Sequence, residues 1–139
     1  MYLIDTNIFL EVMLSQEREE ECKILLQMLR KGKVKGVVTD FTIHSIIVLL
    51  SRFKKLKELR NFLQSLTAYK GLYIYTTSIA EEIKATKIAE EKGLDMDDAI
   101  QYAVALSINA KAIISFDKDF DNLEIPRKEP KEVIKSDNL

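Results

Sequence analysis

Soft metals have almost nothing to bind in this chain. Its 139 residues include one histidine, His44, and one cysteine, Cys22, so a typical zinc site of imidazole and thiolate donors is excluded. The single cysteine also excludes an intrachain disulfide and makes a reducing cytosol the expected compartment. No apolar run approaches the ~20 residues of a membrane span, so no membrane association is expected. The opening MYLIDTN has no basic start and carries an aspartate at position five. No signal peptide is expected there, and the chain reads as complete and cytoplasmic. A formal net charge of −1 excludes a strongly basic protein, although not a local basic patch. Repeats, low-complexity tracts and linkers are missing too, and residues 1–139 are expected to form one domain.

What is present is a core. Hydrophobic residues make up 47% of the sequence, enough for a self-supporting domain of this length, while charged residues make up 31%. Met1 to Ile4 reads as a short strand ending at Asp5. Helical periodicity continues over 6–30, is broken by SQEREEE and ends near Gly32. Val34 to Thr39 reads as a second strand. FTIHSIIVLLSRF, 41–53, reads as an apolar helix with Asp40 at its N-cap. Residues 56–69 predict an amphipathic helix stopped by Gly71, and LYIYT, 72–76, a third strand. Ile79 to Lys92 is helical and stops at Gly93; 97–109 is a further helix; AIISF, 112–116, is a fourth strand. Beyond Asn122 a short strand around Ile125 and a tail are expected, with Pro126 and Pro130 opposing a helix between them.

Strands alternating with helices predict an α/β fold with a parallel sheet covered on both faces, and ligands bind beyond the carboxyl ends of such strands. Two acids stand there. Asp5 follows YLI directly, and Asp117 follows AIISF. Asp98, or its neighbour Asp97, opens the helix leading into the AIISF strand. If the first and fourth strands are neighbours, three carboxylates converge. Two unit charges ~5 Å apart repel by roughly 3 kcal/mol at an effective dielectric of about 20, so such a cluster calls for a proton or a cation. Donors made only of oxygen favour Mg²⁺ or Mn²⁺.

Each acid also has a plainer use. Asp95 and Asp98 are spaced as a capping box, Asp5 suits the N-cap of the first helix, and Asp117-Lys-Asp is an ordinary turn opener. DKDFDN has acids at positions one, three and five of a calcium loop, but Asn122 and Lys128 stand where that loop needs Gly and Glu, which excludes an EF-hand. His44, on an apolar helix, is expected to be structural. Tyr69, Tyr73 and Tyr75 are expected to pack rather than stack on bases. RFKKLKELR, 52–60, is either a solvated helix face or a phosphate-contacting one.

Taken in order, YLIDTNIFL, DDAIQYAVAL and IISFDKDF make the chain similar to the PIN-domain nucleases, in particular the single-domain VapC-type toxins, from residue 1 to about residue 130. The resemblance implies a three-layer α/β/α sandwich with a central, mostly parallel sheet and metal-dependent cleavage of RNA. It implies Asp5, Asp98 and Asp117 as catalytic and Mg²⁺- or Mn²⁺-ligating residues, with Thr6 and Asn7 beside them and Asp97 as an auxiliary acid. It also implies a small antitoxin protein as partner and a homodimer. One departure stands out. The family's glutamate, early in the helix after strand two, is replaced here by Ser45, and Asp40 is the candidate to compensate. Lys111, Lys118, Arg52, Lys54 and Lys55 are the candidates to hold RNA. The alternative is a degenerate PIN domain that binds RNA or protein without cutting it. An aspartyl phosphotransferase is a third class, but Asp5-Thr6-Asn7 lacks the second acid two residues on.

Overall fold

The computed structural model describes residues 1–137. Among them five strands alternate with helices: β1 (Tyr2–Ile4), α1 (Thr6–Met13), α2 (Glu19–Lys31), β2 (Gly36–Thr39), α3 (Asp40–Arg52), α4 (Leu56–Leu66), β3 (Leu72–Tyr75), α5 (Ile79–Lys92), α6 (Met96–Ser107), β4 (Ile113–Ile114), β5 (Arg127–Lys128) and α7 (Pro130–Asp137). Every strand pairing is parallel, in the order β3-β2-β1-β4-β5. The strand order reverses at β1, so β1 and β4 flank the switch point where such sheets place their ligands.

Strand alternation sorts the core into two layers. Leu3, Val37 and Ile113 face one side and pack with Ala85 and Ile88 of α5 and with Ala99, Ala103 and Val104 of α6. Their neighbours Ile4, Val38 and Ile114 face the other side, among Ile8, Leu25, Ile46, Phe62 and Val133 from α1, α2, α3, α4 and α7. The result is the expected α/β/α sandwich. Gly71 lets the chain enter β3 hard against the end of α2. A Cβ there would lie 2.3 Å from the Val34 carbonyl oxygen, and the Gly71 N–H donates to Leu29 O at 2.8 Å.

Thr39, not Asp40, caps α3: its Oγ1 accepts the Thr42 N–H at 3.1 Å, while Asp40 is the first helical residue. The tail is a helix rather than an irregular end. Pro130 opens α7, where a missing N–H costs nothing, and Val133 packs into the core. The short strand lies between the two prolines, at Arg127–Lys128, rather than around Ile125. Helix α4 ends at Leu66, short of the predicted limit at residue 69.

Candidate metal centre at the carboxyl edge

Parallel pairing of Leu3 with Ile113 and Ile4 with Ile114 brings the residues after β1 and β4 to one edge. Asp5 and Asp117 therefore share that edge. Ser115 joins them: its hydroxyl donates to Asp5 Oδ2 at 2.6 Å and accepts the Asp117 N–H at 2.9 Å.

Asp5 is only 7% exposed and is held at both oxygens. Oδ1 accepts the Thr6 N–H at 2.8 Å and the Gln101 Nε2–H at 3.2 Å. Oδ2 accepts from Ser115 and, at 3.3 Å, from Asn7 Nδ2. Burial pushes its pKa up, and the Ser115, Thr6 and Gln101 donors oppose that rise. The bond from Thr6 makes Asp5 the N-cap of α1 as well, so the plainer use and membership of the cluster coexist in one side chain.

Asp98 is in a different state. It is half-buried at the start of α6, and one oxygen each from Asp98, Asp117 and Asp119 lie within 4.8 Å of one another. Burial, then the like charges of Asp117 and Asp5, push the Asp98 carboxyl up to about 7. The capping box suggested by Asp95 and Asp98 is not formed, since Asp95 makes no side-chain cap bond. Asp117 does open a turn: its Oδ1 accepts the Asp119 N–H at 2.9 Å, and that same bond holds Asp119 beside it.

A cavity of about 220 Å³ adjoins the cluster, lined by Asp5, Thr6, Asn7, Phe41, Ser45, Asp97, Asp98 and Gln101 among others. Ser45 thus faces the acids from α3, in the second turn after the cap. Asp97 lies at the mouth and is exposed. Thr6 Oγ1 pairs with Thr42 Oγ1 at 2.9 Å. Asn7 donates to Ser115 Oγ at 3.2 Å, while its own Oδ1 is buried without a partner among the described residues.

Asp40 is engaged elsewhere. Its carboxylate accepts from the Thr77 N–H at 3.1 Å and from the Thr77 hydroxyl, and it lines a separate hollow with His44 and Glu82. That leaves it unsuited to compensate for Ser45. His44 is exposed on α3. Of the basic candidates, Lys118 is exposed next to Asp117. Lys111 precedes β4, at the opposite edge, with its N–H on the Met1 carbonyl. Arg52 ends α3, roughly 18 Å along the helix from its capped start, and Lys54 and Lys55 follow it.

Sequence reasoning misses Asp119, Ser115 and Gln101. Asp119 is visible as the second acid of DKD. Gln101 carries a signal too: it is the one amide in the buried run Ala99–Ala105. Nothing in the sequence marks Ser115 beyond its place at a strand end.

The donor set fits a hard divalent cation. Carboxylate oxygens converge, and the soft donors are elsewhere, with Cys22 buried in the α2 layer.

A family model for the PIN domain matches residues 2–126, and the chain belongs to that family. Its fold is similar to that of VapC20 from Mycobacterium tuberculosis, a toxin that cleaves the sarcin–ricin loop (TM-score 0.72, 14% identity, 90% of this chain and 96% of that one). It is also similar to a toxin–antitoxin complex from Klebsiella pneumoniae (TM-score 0.70, 21% identity, 94% and 98%) and to VapBC2 from Rickettsia felis bound to a promoter DNA fragment (TM-score 0.67, 17% identity, 92% and 97%). No curated protein sequence gives a match.

Proposed function

We propose that the chain is a divalent-metal-dependent endoribonuclease and the toxin of a VapBC-type toxin–antitoxin pair. The observation carrying this reading is the convergence of Asp98, Asp117 and Asp119 oxygens within 4.8 Å at the sheet's switch point. Asp98, Asp117 and Asp119 would hold Mg²⁺ or Mn²⁺, with Asp5 behind them. When bound, such an ion supplies Lewis acidity and neutralises charge building on a phosphodiester oxygen.

The chain's own residues do the rest. Ser115 and Asn7 keep the Asp5 carboxylate turned toward β4. Burial and neighbouring acids push the Asp98 carboxyl up to about 7, so it would release its proton to solvent when a cation takes its place. Ser45 and Asp97 line the hollow into which a backbone phosphate would enter. Lys118, exposed beside Asp117, offsets the negative field for an incoming polyanion. A small antitoxin protein as partner is supported by the toxin–antitoxin complexes among the similar structures. A homodimer is proposed on the family resemblance alone.

Ser45 favours a second reading, in which the domain binds RNA without cutting it. Incubation of a structured RNA with protein and Mn²⁺ separates the two. Cleavage that is lost with chelator and in Asp117→Asn supports the nuclease; retained binding with no cleavage supports the second reading.

A further inference from the structure

Asp5 is buried close to the charge of Asp117, and four donors hold its carboxylate. Two of its four donors, Thr6 N–H and Asn7, are close neighbours in the chain, and Ser115 follows the adjacent strand. The fourth, Gln101, comes from α6, the helix that also carries Asp98 three residues earlier. Positions three apart share a helix face, so one face of α6 presents a carboxylate to the open cluster and an amide to Asp5.

Gln101 is 2% exposed and fixed at both ends of its amide. Its Oε1 accepts from Thr39 Oγ1 at 2.9 Å, and its Nε2 donates to Thr42 Oγ1 at 2.7 Å as well as to Asp5. The proton directions close without conflict. Thr39 receives the Thr42 N–H and gives its own proton to Gln101, and Thr42 receives from Gln101 and gives to Thr6. Turning the amide over would set Oε1 against the Asp5 carboxylate, so only one orientation is satisfied. The capped start of α3, the buried amide of α6 and the first site carboxylate form a single network.

We propose that Gln101 is a positioning residue that sets the placement of Asp5 relative to Asp98, with Thr39 and Thr42 locking its amide. The proposal rests on the metal-site reading above. Gln101→Met keeps the length and burial of the side chain while removing the donor to Asp5. Calorimetric titration of folded, EDTA-treated protein with Mn²⁺ is expected to give at least a tenfold weaker Kd for Gln101→Met than for the parent chain. Thr39→Val, which frees Gln101 Oε1, is expected to weaken Mn²⁺ by severalfold, and Thr39→Ser to restore it; this pair tests the network should Gln101→Met fail to fold. A purely structural role for Gln101 predicts a lower Tm with the Mn²⁺ Kd of the folded fraction unchanged. That result in Gln101→Met, or in Thr39→Val, overturns the proposal and leaves the metal site standing. A parent chain that binds no Mn²⁺ overturns both.

Discussion

Asp98 is where capping and chemistry make opposite demands. A carboxylate placed only to favour a helix start would have its pKa lowered by the dipole, and removing its charge would cost ~0.3–1 kcal/mol. Here burial, with Asp117 and Asp5 nearby, pushes the carboxyl from its ordinary value of 3.8 up to about 7. The folded state therefore binds that proton more tightly than the unfolded chain does. The stability this contributes is complete below about pH 3.8 and is lost as pH rises through about 7. In EDTA, the melting temperature is expected to fall between about pH 4 and about pH 7, and Asp98→Asn is expected to flatten that slope. At the upper end of that range the metal-free variant is expected to melt higher than the parent. A variant that melts lower, with the slope intact, would return Asp98 to a helix-starting role. Some of these side chains are legible in the sequence and some are not. Acids directly after buried strands point to Asp5 and Asp117, because strand ends leave few alternatives. Gln101 and Ser115 stay hidden because a buried polar side chain inside an apolar run identifies no partner until the fold supplies one.

Among the helices, α3 decides how complete the site is. Thr39 caps it, the Thr77 N–H and hydroxyl bind Asp40, and Ser45 faces the acidic hollow from its second turn. The sequence alone points to Asp40 as the cap because Asp and Thr both suit that position; the deciding contact comes from Thr77, far along the chain. Thr39→Ala removes the cap and the proton donated to Gln101, and chemical denaturation is expected to show a loss of at least the ~1 kcal/mol typical of a cap. Ser45→Glu adds a carboxylate to the hollow. Without metal it is expected to lower Tm by like-charge repulsion, and with Mn²⁺ to bind more tightly than the parent chain. An unchanged Mn²⁺ affinity in the folded variant would mean that position 45 does not reach the ion. Helix α7 is the element least legible in the sequence. Pro130 reads as a breaker in isolation, yet at the first position of a helix its missing N–H breaks no bond and its fixed φ already suits the turn.

For the domain as a whole, the strand order places the switch point between β1 and β4 and so gathers acids from three separate stretches of sequence at one edge. The alternation of strands and helices makes this architecture readable, because parallel strands need helical crossovers and both faces then need cover. The energetic consequence is like charge gathered at the carboxyl edge, which the proposed cation would relieve. A ligand that binds only the folded state stabilises it by about 2.7 kcal/mol at a hundredfold excess over its Kd. Saturating Mn²⁺ is therefore expected to raise Tm by several degrees in the parent chain and by much less in Asp117→Asn.

The most direct test of the nuclease reading is a single time course. Purified protein is incubated with a structured RNA and Mn²⁺, alongside EDTA and an Asp117→Asn control. The expected result is discrete cleavage products in the presence of Mn²⁺, with at least a hundredfold slower appearance in EDTA and in Asp117→Asn. Equal cleavage by the variant, or cleavage unaffected by EDTA, would contradict the assignment of the carboxyl-edge acids to a metal-dependent nuclease site.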